Sequence, residues 1–485
     1  MRQVFVKELS TYTEETLSVK LGVTMERAAE CVEVLATHGV LKLRTGNDPS
    51  EYDASNTNGL KGKYQFVYVG LTIFEDLVLV VFPKYMDEDQ FFSEISAESR
   101  NALQRVFRVV RKSSGAYSDI ATLDEGSRRF NDRVALMLML VEMYSEFGEY
   151  SNYVRTLKTN GMGEISWERT VAVHQPFISG NVPVYFEYET IANTKDDSDF
   201  VTRLHRCVLS ECSTYLQEAG LNEMLGLEHI SLSDELVVNF GDAEHICQRL
   251  DRERGAQYVT WKLDVIDLIR RYISEERFVV RSDEVVCLGS TSFYQVWEKA
   301  CKVAFGDLLE KRLSKTGIDL RGCWRSRRND TMLKLIPSPQ WSWFARGEES
   351  RCDDVATLVP DAISVFEGSG GSTFAILDAK YYTPVMGKSP KGMPGVDSVT
   401  KQILYQRAYE DFVVDNGFSK VINAFLVPCE CNKATLIGRV DFPGVLAPMQ
   451  APFANHVDMW ALPADDVWRC YLEGRPFQDA ESLTG

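Results

Sequence analysis

Two acids and a lysine in the C-terminal third of the chain have the types and the order that phosphodiester hydrolysis needs. Asp361 follows a proline, and Asp378 and Lys380 form an Asp-x-Lys sequence farther along. Carboxylate oxygens are ligands that Mg²⁺ prefers, and this ion keeps several of its waters when bound. It would stabilise charge on the phosphate and help to generate hydroxide. The ammonium group of Lys380 would orient or deprotonate the attacking water.

The residues around these three groups predict a β-hairpin that brings them together. Two apolar, strand-like runs flank the Gly- and Ser-rich residues 367–372, as expected for strands joined by a turn. Side chains alternate along a strand, so Asp378 and Lys380 share one face, and Asp361 can meet them across the hairpin. The arrangement resembles the PD-(D/E)XK nuclease signature. A hairpin with a solvated end is the alternative interpretation.

Two predicted helices flank the hairpin and offer further groups. Apolar residues at helical spacing fill 293–304, and Glu298 lies beside that stripe, where it could serve as a third acid and metal ligand. A helix predicted over 397–409 carries Gln402 and Tyr405. Nucleases of this signature often place a Gln and a Tyr on the helix after the Asp-x-Lys strand, which implies that these side chains hold the phosphate or the water. An exposed glutamate and an ordinary amphipathic helix are the alternatives.

Several sequence blocks outside the hairpin are similar to those of one nuclease family. They are residues 69–70, 82–85, 142–152, 160–170, Leu204-His205 and the helix with Phe293, Trp297 and Glu298. In this order they resemble the LlaJI family of restriction endonuclease subunits, which are relatives of McrC. The resemblance extends from about residue 60 to about residue 435. It implies a nuclease that acts on double-stranded DNA together with a McrB-like AAA+ GTPase on another chain.

The net charge argues against indiscriminate binding of nucleic acid. The formal charge is −17 at pH 7, whereas affinity for a duplex depends on neutralising phosphates. Local basic clusters can still position DNA. The candidate DNA-binding residues precede the hairpin and are Arg321, Arg325, Arg327 and Arg328. A second cluster, within 105–112, is spaced to share a helix face, and for both a solvated face is the alternative.

Composition places the chain among globular proteins. Its 485 residues suggest about three domains, and a hydrophobic content of 45% with a charged content of 25% is ordinary. The longest apolar stretches are of strand length, far below a membrane span, and the first residues lack a signal-peptide pattern. We therefore expect a cytoplasmic protein without a membrane partner.

The sequence lacks two common motifs for binding a metal or a nucleotide. The chain has no Cys-x-x-Cys pair, so a structural zinc site is not expected. It has no Walker sequence, so any nucleotide site should lie on another chain. The expected cofactor is Mg²⁺ or Mn²⁺, held by Asp361, Asp378 and Glu298.

The predicted fold is mixed α/β with four segments. Residues 1–90 should form a winged-helix-like and β-strand region that docks a partner, since the second helix exposes acidic rather than basic residues. Residues 91–285 should be a helix-rich middle domain, in which 165–173 are expected to form a strand. Residues 286–440 should form the PD-(D/E)XK restriction-endonuclease-like core. Residues 441–485 contain several prolines and should form an ordered, surface-wrapping tail.

The sequence thus predicts a Mg²⁺-dependent DNA endonuclease subunit of a restriction complex that defends against phage. One alternative is a regulatory adaptor that stimulates a partner NTPase through residues 1–90, with nuclease activity secondary. Another is a repair nuclease that works without a motor partner.

Overall fold

A computed structural model describes residues 2–44, 63–74, 77–91, 96–113, 132–275, 285–345, 348–354, 356–368, 371–388, 390–442, 449–477 and 483. The sequence also predicts a loop at 45–62 and a strand at 278–281, and both segments lie outside the described residues. The described chain divides into two compact units. The middle unit comprises residues 129–286, and the main unit comprises residues 2–128 and 287–485. Helices and sheets occur in both, which confirms the mixed α/β class.

The strands are numbered in chain order. They are β1 (Arg2–Lys7), β2 (Thr11–Tyr12), β3 (Leu41–Arg44), β4 (Lys63–Phe66), β5 (Val69–Phe74), β6 (Leu77–Phe82), β7 (Tyr153–Thr159), β8 (Glu164–Ile165), β9 (Phe177–Ser179), β10 (Val182–Val184), β11 (Glu189–Lys195), β12 (Val285–Ser290), β13 (Gln340–Ala345), β14 (Glu348–Asp353), β15 (Ala362–Gly368), β16 (Gly371–Ala379), β17 (Lys420–Cys429), β18 (Thr435–Asp441) and β19 (His456–Pro463).

The helices are numbered in the same way. They are α1 (Glu14–Leu21), α2 (Met25–Thr37), α3 (Ala97–Ser113), α4 (Asp132–Phe147), α5 (Trp167–Val173), α6 (Phe200–Glu218), α7 (Leu221–Leu225), α8 (Ala243–Ala256), α9 (Thr260–Glu275), α10 (Phe293–Ala304), α11 (Val396–Ala408), α12 (Glu410–Asn416) and α13 (Ala464–Glu473). Among the described residues, no helix combines the length and the apolar character needed to cross a bilayer.

A mixed sheet of strand order β15-β16-β17-β19-β18 forms the centre of the main unit. Strand β16 pairs antiparallel with β15 and parallel with β17. Six consecutive residues of β16, 373–378, are buried, which is typical of a strand covered on both faces. On one face Phe374 and Ile376 pack against Tyr409 and Phe412 of the helical layer. The strand that carries Asp378 is therefore held rigidly up to its last residues.

The predicted hairpin is confirmed by the pairing of β15 with β16, which runs from Ala362 opposite Leu377 to Gly368 opposite Gly371. Gly371 has a φ of +108°, and a Cβ there would lie 2.9 Å from the Ser419 hydroxyl. Only glycine adopts this backbone readily. The Gly-rich turn thus fixes the register that sets Asp361 opposite Asp378.

The expectation of a surface-wrapping tail is wrong for residues 456–473. Strand β19 is an inner strand, with β17 on one side and β18 on the other, and its second half is buried. Helix α13 follows directly, and its Trp468 packs edge-on against Trp297 of α10 at 5.2 Å. The prolines made the prediction of a tail wrong. The prolines described in this region lie at the borders of helices and strands, as Pro463 does at the end of β19, and so they do not prevent regular structure.

The N-terminal part of the main unit contains the predicted helix, turn, helix and strand. Thr13 caps α1 in a reciprocal capping box, and Gly22 ends that helix in the left-handed conformation. Helix α2 then leads into β3, which pairs with β4 in a small sheet of order β2-β4-β3. A second sheet has the order β1-β6-β5-β12. The finer division of the chain into four domains stays a prediction.

The middle unit is built around α4, α6 and α9, as the helix-rich pattern predicts. The blocks that resemble the LlaJI family hold it together, since the backbone N–H of Tyr150 donates to Nδ1 of buried His205 at 3.0 Å. The Tyr150 hydroxyl donates to Glu253 at 2.7 Å. Burial lowers the pKa of His205 to about 4, so its ring stays neutral.

The strand predicted over 165–173 is wrong beyond its first residue. Only Glu164 and Ile165 pair with β11, and Trp167–Val173 forms α5. A helix satisfies its backbone hydrogen bonds locally, so it needs no second strand beyond Ser166. Its apolar side chains are largely exposed. Trp167, Val171 and Val173 stand at odd-numbered positions, and this alternation is typical of a strand.

The basic cluster within 105–112 lies on α3 and holds α13. Arg105 pairs with Asp465. The Lys112 ammonium donates to the carbonyls of Tyr471 at 2.8 Å and Leu472 at 2.9 Å. Cations near the last carbonyls of a helix are favourable, so Arg105 and Lys112 act in packing this helix pair.

Candidate active site

Asp361, Asp378 and Lys380 converge at the end of β16. Asp378 is the penultimate residue of this buried strand, and Asp361 immediately precedes β15. An oxygen of Asp361 accepts a hydrogen bond from the backbone N–H of Ala379 at 2.8 Å, and its carboxyl group also lies within hydrogen-bonding reach of Asp378. The Lys380 ammonium is 2.8 Å from Asp378 Oδ2. Two carboxyls and one ammonium thus share one corner of the sheet.

Negative charge is crowded at this corner. Burial raises the pKa of Asp361 to about 7, and the nearby charges of Asp378 and Glu298 contribute to the rise, while Lys380 opposes it. Burial alone would lower the pKa of Lys380, but the charges of Asp378 and Asp361 raise it above its ordinary value. The lysine is therefore held as an ammonium, and the acid pair carries charge that a cation would stabilise.

Asp361→Asn is expected to stabilise the metal-free protein at pH 8 and to stabilise it by less than half as much at pH 5. The folded protein keeps a proton on Asp361 up to a pKa of about 7, whereas the unfolded chain releases it near 3.8. The stability contributed by this group therefore falls as pH rises through that window and stays low above it. Removing the group should gain on the order of 1–2 kcal/mol at pH 8.

The measurement is the urea midpoint of unfolding in EDTA at the two pH values. Asp458→Asn is the matched control, because Asp458 is paired with Arg439 at 2.7 Å on a neighbouring strand. That control should lose stability at pH 8. Identical midpoints for wild type and Asp361→Asn at both pH values would contradict the assignment.

Glu298 lies near the pair and has a partner of its own. It forms an ion pair with Lys302, one helical turn later, at 2.7 Å, and its charge acts on Asp361. Among the described residues, no group of three or more His, Cys, Asp or Glu side chains is arranged to hold a metal ion. Lys302 was missed by the sequence reasoning, although its (i, i+4) spacing from Glu298 would have indicated the pair.

Tyr405 contacts the main chain that leads into the candidate site. Its side chain is buried, and its hydroxyl donates to the Val359 carbonyl at 2.9 Å. Burial, followed by the charges of Asp378 and Asp361, raises its pKa to about 12. Tyr405 thus braces the segment that leads into Asp361, and its predicted contact with phosphate stays a prediction.

Gln402 lies on α11 and is completely buried. Its backbone carbonyl accepts from the Asn423 amide of β17 at 3.0 Å, whereas both polar atoms of its own side chain have no hydrogen-bond partner among the described residues. Buried amides are usually paired, so this side chain has unused donor and acceptor capacity in the layer that covers the sheet. Its role in holding phosphate or water stays a prediction.

Among the described contacts, no hydrogen bond or ion pair joins the arginine cluster to Asp361 or Asp378. Trp324 of this segment packs on Phe412 at 5.2 Å and donates to Asp415 at 2.9 Å, both on α12. Helix α12 leads into β17, whose first residue, Lys420, pairs with Thr373. Thr373 is five residues before Asp378, which corresponds to about 16 Å along the strand.

The side chains of that cluster differ in exposure and in the partners that they have. Arg325 Nε donates to the Leu320 carbonyl at 2.8 Å. Arg325 and Arg328 are exposed, and the Arg328 side chain has no hydrogen-bond or ion-pair partner among the described residues. Arg327 is partly occupied by Asp330 at 2.9 Å, and Arg321 lies 4.0 Å from Asp319. Binding of DNA by these arginines stays a prediction.

Comparison with known proteins decides the family. The model of the LlaJI restriction endonuclease family matches residues 68–316 and 326–455. The chain belongs to the LlaJI restriction endonuclease family. The match includes Asp361, Asp378 and Lys380, and it confirms the resemblance that the sequence blocks indicated.

Two known proteins are similar to this chain along most of its length. The Type II restriction enzyme BsuMI component YdjA of Bacillus subtilis (strain 168) is 27% identical over 425 residues, which cover 86% of this chain and 82% of that protein. A refined half-complex of Thermococcus gammatolerans McrB AAA+ hexamers with bound McrC contains a chain that is 12% identical, with 97% of this chain and 99% of that one covered and a TM-score of 0.36. A TM-score this low carries no structural argument.

Proposed function

We propose that this LlaJI-family protein is a Mg²⁺- or Mn²⁺-dependent endonuclease subunit that hydrolyses phosphodiester bonds of double-stranded DNA. The observation that carries the proposal is the convergence of Asp361, Asp378 and Lys380 at one corner of a buried sheet. Family membership supports a nuclease of a restriction system. The three side chains supply the groups that a metal-dependent nuclease requires.

The residues at this corner fit a hard divalent cation. All the candidate ligand atoms are carboxylate oxygens, which suit Mg²⁺ or Mn²⁺. Burial is the main cause of the raised pKa of Asp361, and the negative charges of Asp378 and Glu298 add to it. Asp361 and Asp378 would hold the ion, with Glu298 beside them, and the bound ion would supply stabilisation of phosphate charge and an acidified water.

Lys380 is suited to orienting water rather than to removing a proton from it. Its ammonium form is stabilised by Asp378 and Asp361, so at neutral pH it donates hydrogen bonds and has no free lone pair. It would hold the attacking water and offset charge on the phosphate. Tyr405 would keep the main chain at 359–361 in place for this geometry.

A partner chain should supply the nucleotide chemistry. This chain has no Walker sequence, and the Bacillus relative is named as one component of a restriction enzyme. We therefore infer that the subunit works with a McrB-like AAA+ GTPase. The complete complex, defined as this chain co-purified with the products of its neighbouring genes, is the sample in which cleavage should be measured.

Metal removal tests the proposal directly. EDTA is expected to abolish cleavage of plasmid DNA by the complete complex, and excess Mg²⁺ or Mn²⁺ should restore it. The reason is that one ammonium group, that of Lys380, does not neutralise two carboxylates. Calorimetric titration of Mn²⁺ into the isolated chain provides a readout that does not depend on cleavage. Undiminished cutting in EDTA, or equal Mn²⁺ binding by Asp378→Asn, would contradict the assignment.

A further inference from the structure

A buried polar cluster that the proposed chemistry does not use lies directly behind Lys380. Its members are Glu8, Lys84 and Tyr381. The Tyr381 hydroxyl donates to Glu8 Oε2. The backbone N–H of Lys84 donates to the same Glu8 oxygen at 3.1 Å and also lies 3.3 Å from the Tyr381 hydroxyl. Because Tyr381 follows Lys380 in sequence, the cluster is covalently joined to the catalytic corner.

Strand pairing brings Glu8 and Lys84 together. Strands β1 and β6 run parallel, with Lys7 opposite Phe82, so their carboxyl ends lie at the same edge of the sheet. The Glu8 N–H donates to the Phe82 carbonyl at 2.9 Å and continues the pairing by one residue. A carboxylate from the first strand of the chain thereby reaches a residue of the nuclease core.

Glu8 is unusually well buried for an acid. Only 9% of it is exposed, and a buried carboxylate is costly unless it is hydrogen-bonded. The described contacts that offset this cost are those to Tyr381 and Lys84, whose ammonium also lies 4.6 Å from the Tyr381 ring centre. An apolar side chain would fill such a space without that cost, so the acid indicates a requirement for directional contacts.

The cluster holds the main chain where strand pairing stops. Strand β16 ends at Ala379. Beyond it, the Lys380 N–H donates to the Leu426 carbonyl at 2.8 Å, and the Lys380 carbonyl accepts from the Tyr382 N–H at 2.9 Å. Successive side chains in extended chain point to opposite sides, so Lys380 faces Asp378 while Tyr381 faces inward. The Tyr381 ring packs edge-on against Phe293 at 5.1 Å and against Tyr85 at 6.4 Å.

We propose that Glu8 and Tyr381 are positioning residues, which fix the main chain beyond Ala379 so that the Lys380 ammonium stays against Asp378. This inference rests on the proposed function, in which Lys380 orients the attacking water. It gives the N-terminal strand an indirect part in catalysis, through the position of Lys380. It also means that truncating residues 1–90 would remove a support of the active site and not only a surface for a partner.

Tyr381→Phe is the decisive variant, because it removes only the hydroxyl and keeps the ring packing. Tyr85→Phe is its matched control, since Tyr85 is half-buried and packs against Tyr381. The Tyr85 hydroxyl accepts from Trp468 at 2.8 Å and has no described hydrogen bond to Glu8. With the complete complex and linear plasmid DNA, kcat for Tyr381→Phe should fall roughly 10–100-fold while KM stays constant. The control should keep its kcat, and both variants should unfold at similar temperatures.

A second pair of variants tests Glu8. Glu8→Gln keeps a carbonyl oxygen that can accept from Tyr381 and Lys84, so it should preserve most of kcat. Glu8→Leu keeps the bulk of the side chain but has no acceptor, so its kcat should fall as far as that of Tyr381→Phe. Equal kcat for Gln and Leu variants that fold would overturn the positioning role.

Lys380→Gln distinguishes failure of this inference from failure of the proposed function. If the wild-type complex cuts, Lys380→Gln does not, and Tyr381→Phe keeps full kcat, the positioning role is overturned and the nuclease assignment stands. If Lys380→Gln cuts as well as wild type, the proposed function fails and this inference fails with it. Equal losses in Tyr381→Phe and Tyr85→Phe would assign the effect to packing and would also overturn the inference.

Discussion

Asp378→Asn is expected to reduce DNA cleavage by the complete complex roughly a thousandfold without unfolding the protein. A metal ion supplies several kcal/mol of stabilisation to the transition state, and each 1.4 kcal/mol or so corresponds to about a factor of ten. The substitution keeps the shape of the side chain but removes the charge that faces Asp361 and Lys380. The loss should therefore appear in the chemical step, and it is measured as the single-turnover cleavage rate.

The control for this variant is Asp458→Asn. Asp458 lies on β19 in the same sheet and is also paired with a cation, Arg439, but it has no described contact with the acid pair. It should cleave DNA at the wild-type rate. A folded Asp378→Asn protein that cuts as fast as this control would exclude Asp378 as a catalytic residue.

Lys380→Gln is expected to lower the same rate by about 100- to 10,000-fold, which is the usual contribution of a positioned proton-transfer or water-orienting group. Affinity for DNA should change little, because the side chain is mostly buried against Asp378 and is not part of an exposed basic surface. The measurement pairs single-turnover cleavage with DNA binding in Ca²⁺, so that loss of binding and loss of chemistry are separated.

Lys380→Arg separates two roles for this residue. Arginine keeps the positive charge but does not act as a base in proteins. If Lys380 orients water as an ammonium, the arginine variant should retain more activity than the glutamine variant. Complete loss of cleavage in both the arginine and the glutamine variant would favour proton removal by a neutral lysine. Lys433→Gln, at an exposed turn between β17 and β18, is the control and should cut normally.

The local parts of the site were predictable from sequence because they depend on neighbouring residues. Alternation along β16 placed Asp378 and Lys380 on one face, and the Gly-rich turn set Asp361 opposite them. Helical spacing likewise located α10 and α11, which carry Glu298 and Tyr405. These patterns follow from the periodicities of strand and helix, which any short segment carries in itself.

The partners of those groups were not predictable, since they come from distant parts of the chain. No local pattern indicated that Tyr405 would bind the Val359 carbonyl, or that the Gln402 side chain would be buried without a partner among the described residues. The arginine cluster was selected because it precedes the hairpin in sequence, which does not fix its place in the fold. Packing of Trp324 on α12 instead carries it toward the opposite end of the strands.

The sequence by itself determined the family, the identity of the acid pair and lysine, and the hairpin that presents them, because motif, alternation and turn chemistry are all local. Tertiary structure alone decided that β19 lies between β17 and β18 in the five-stranded sheet and that Glu8 reaches Tyr381. Both contacts join segments that are distant in the chain, and their free energy comes from burial and pairing that exist only once the sheets have assembled.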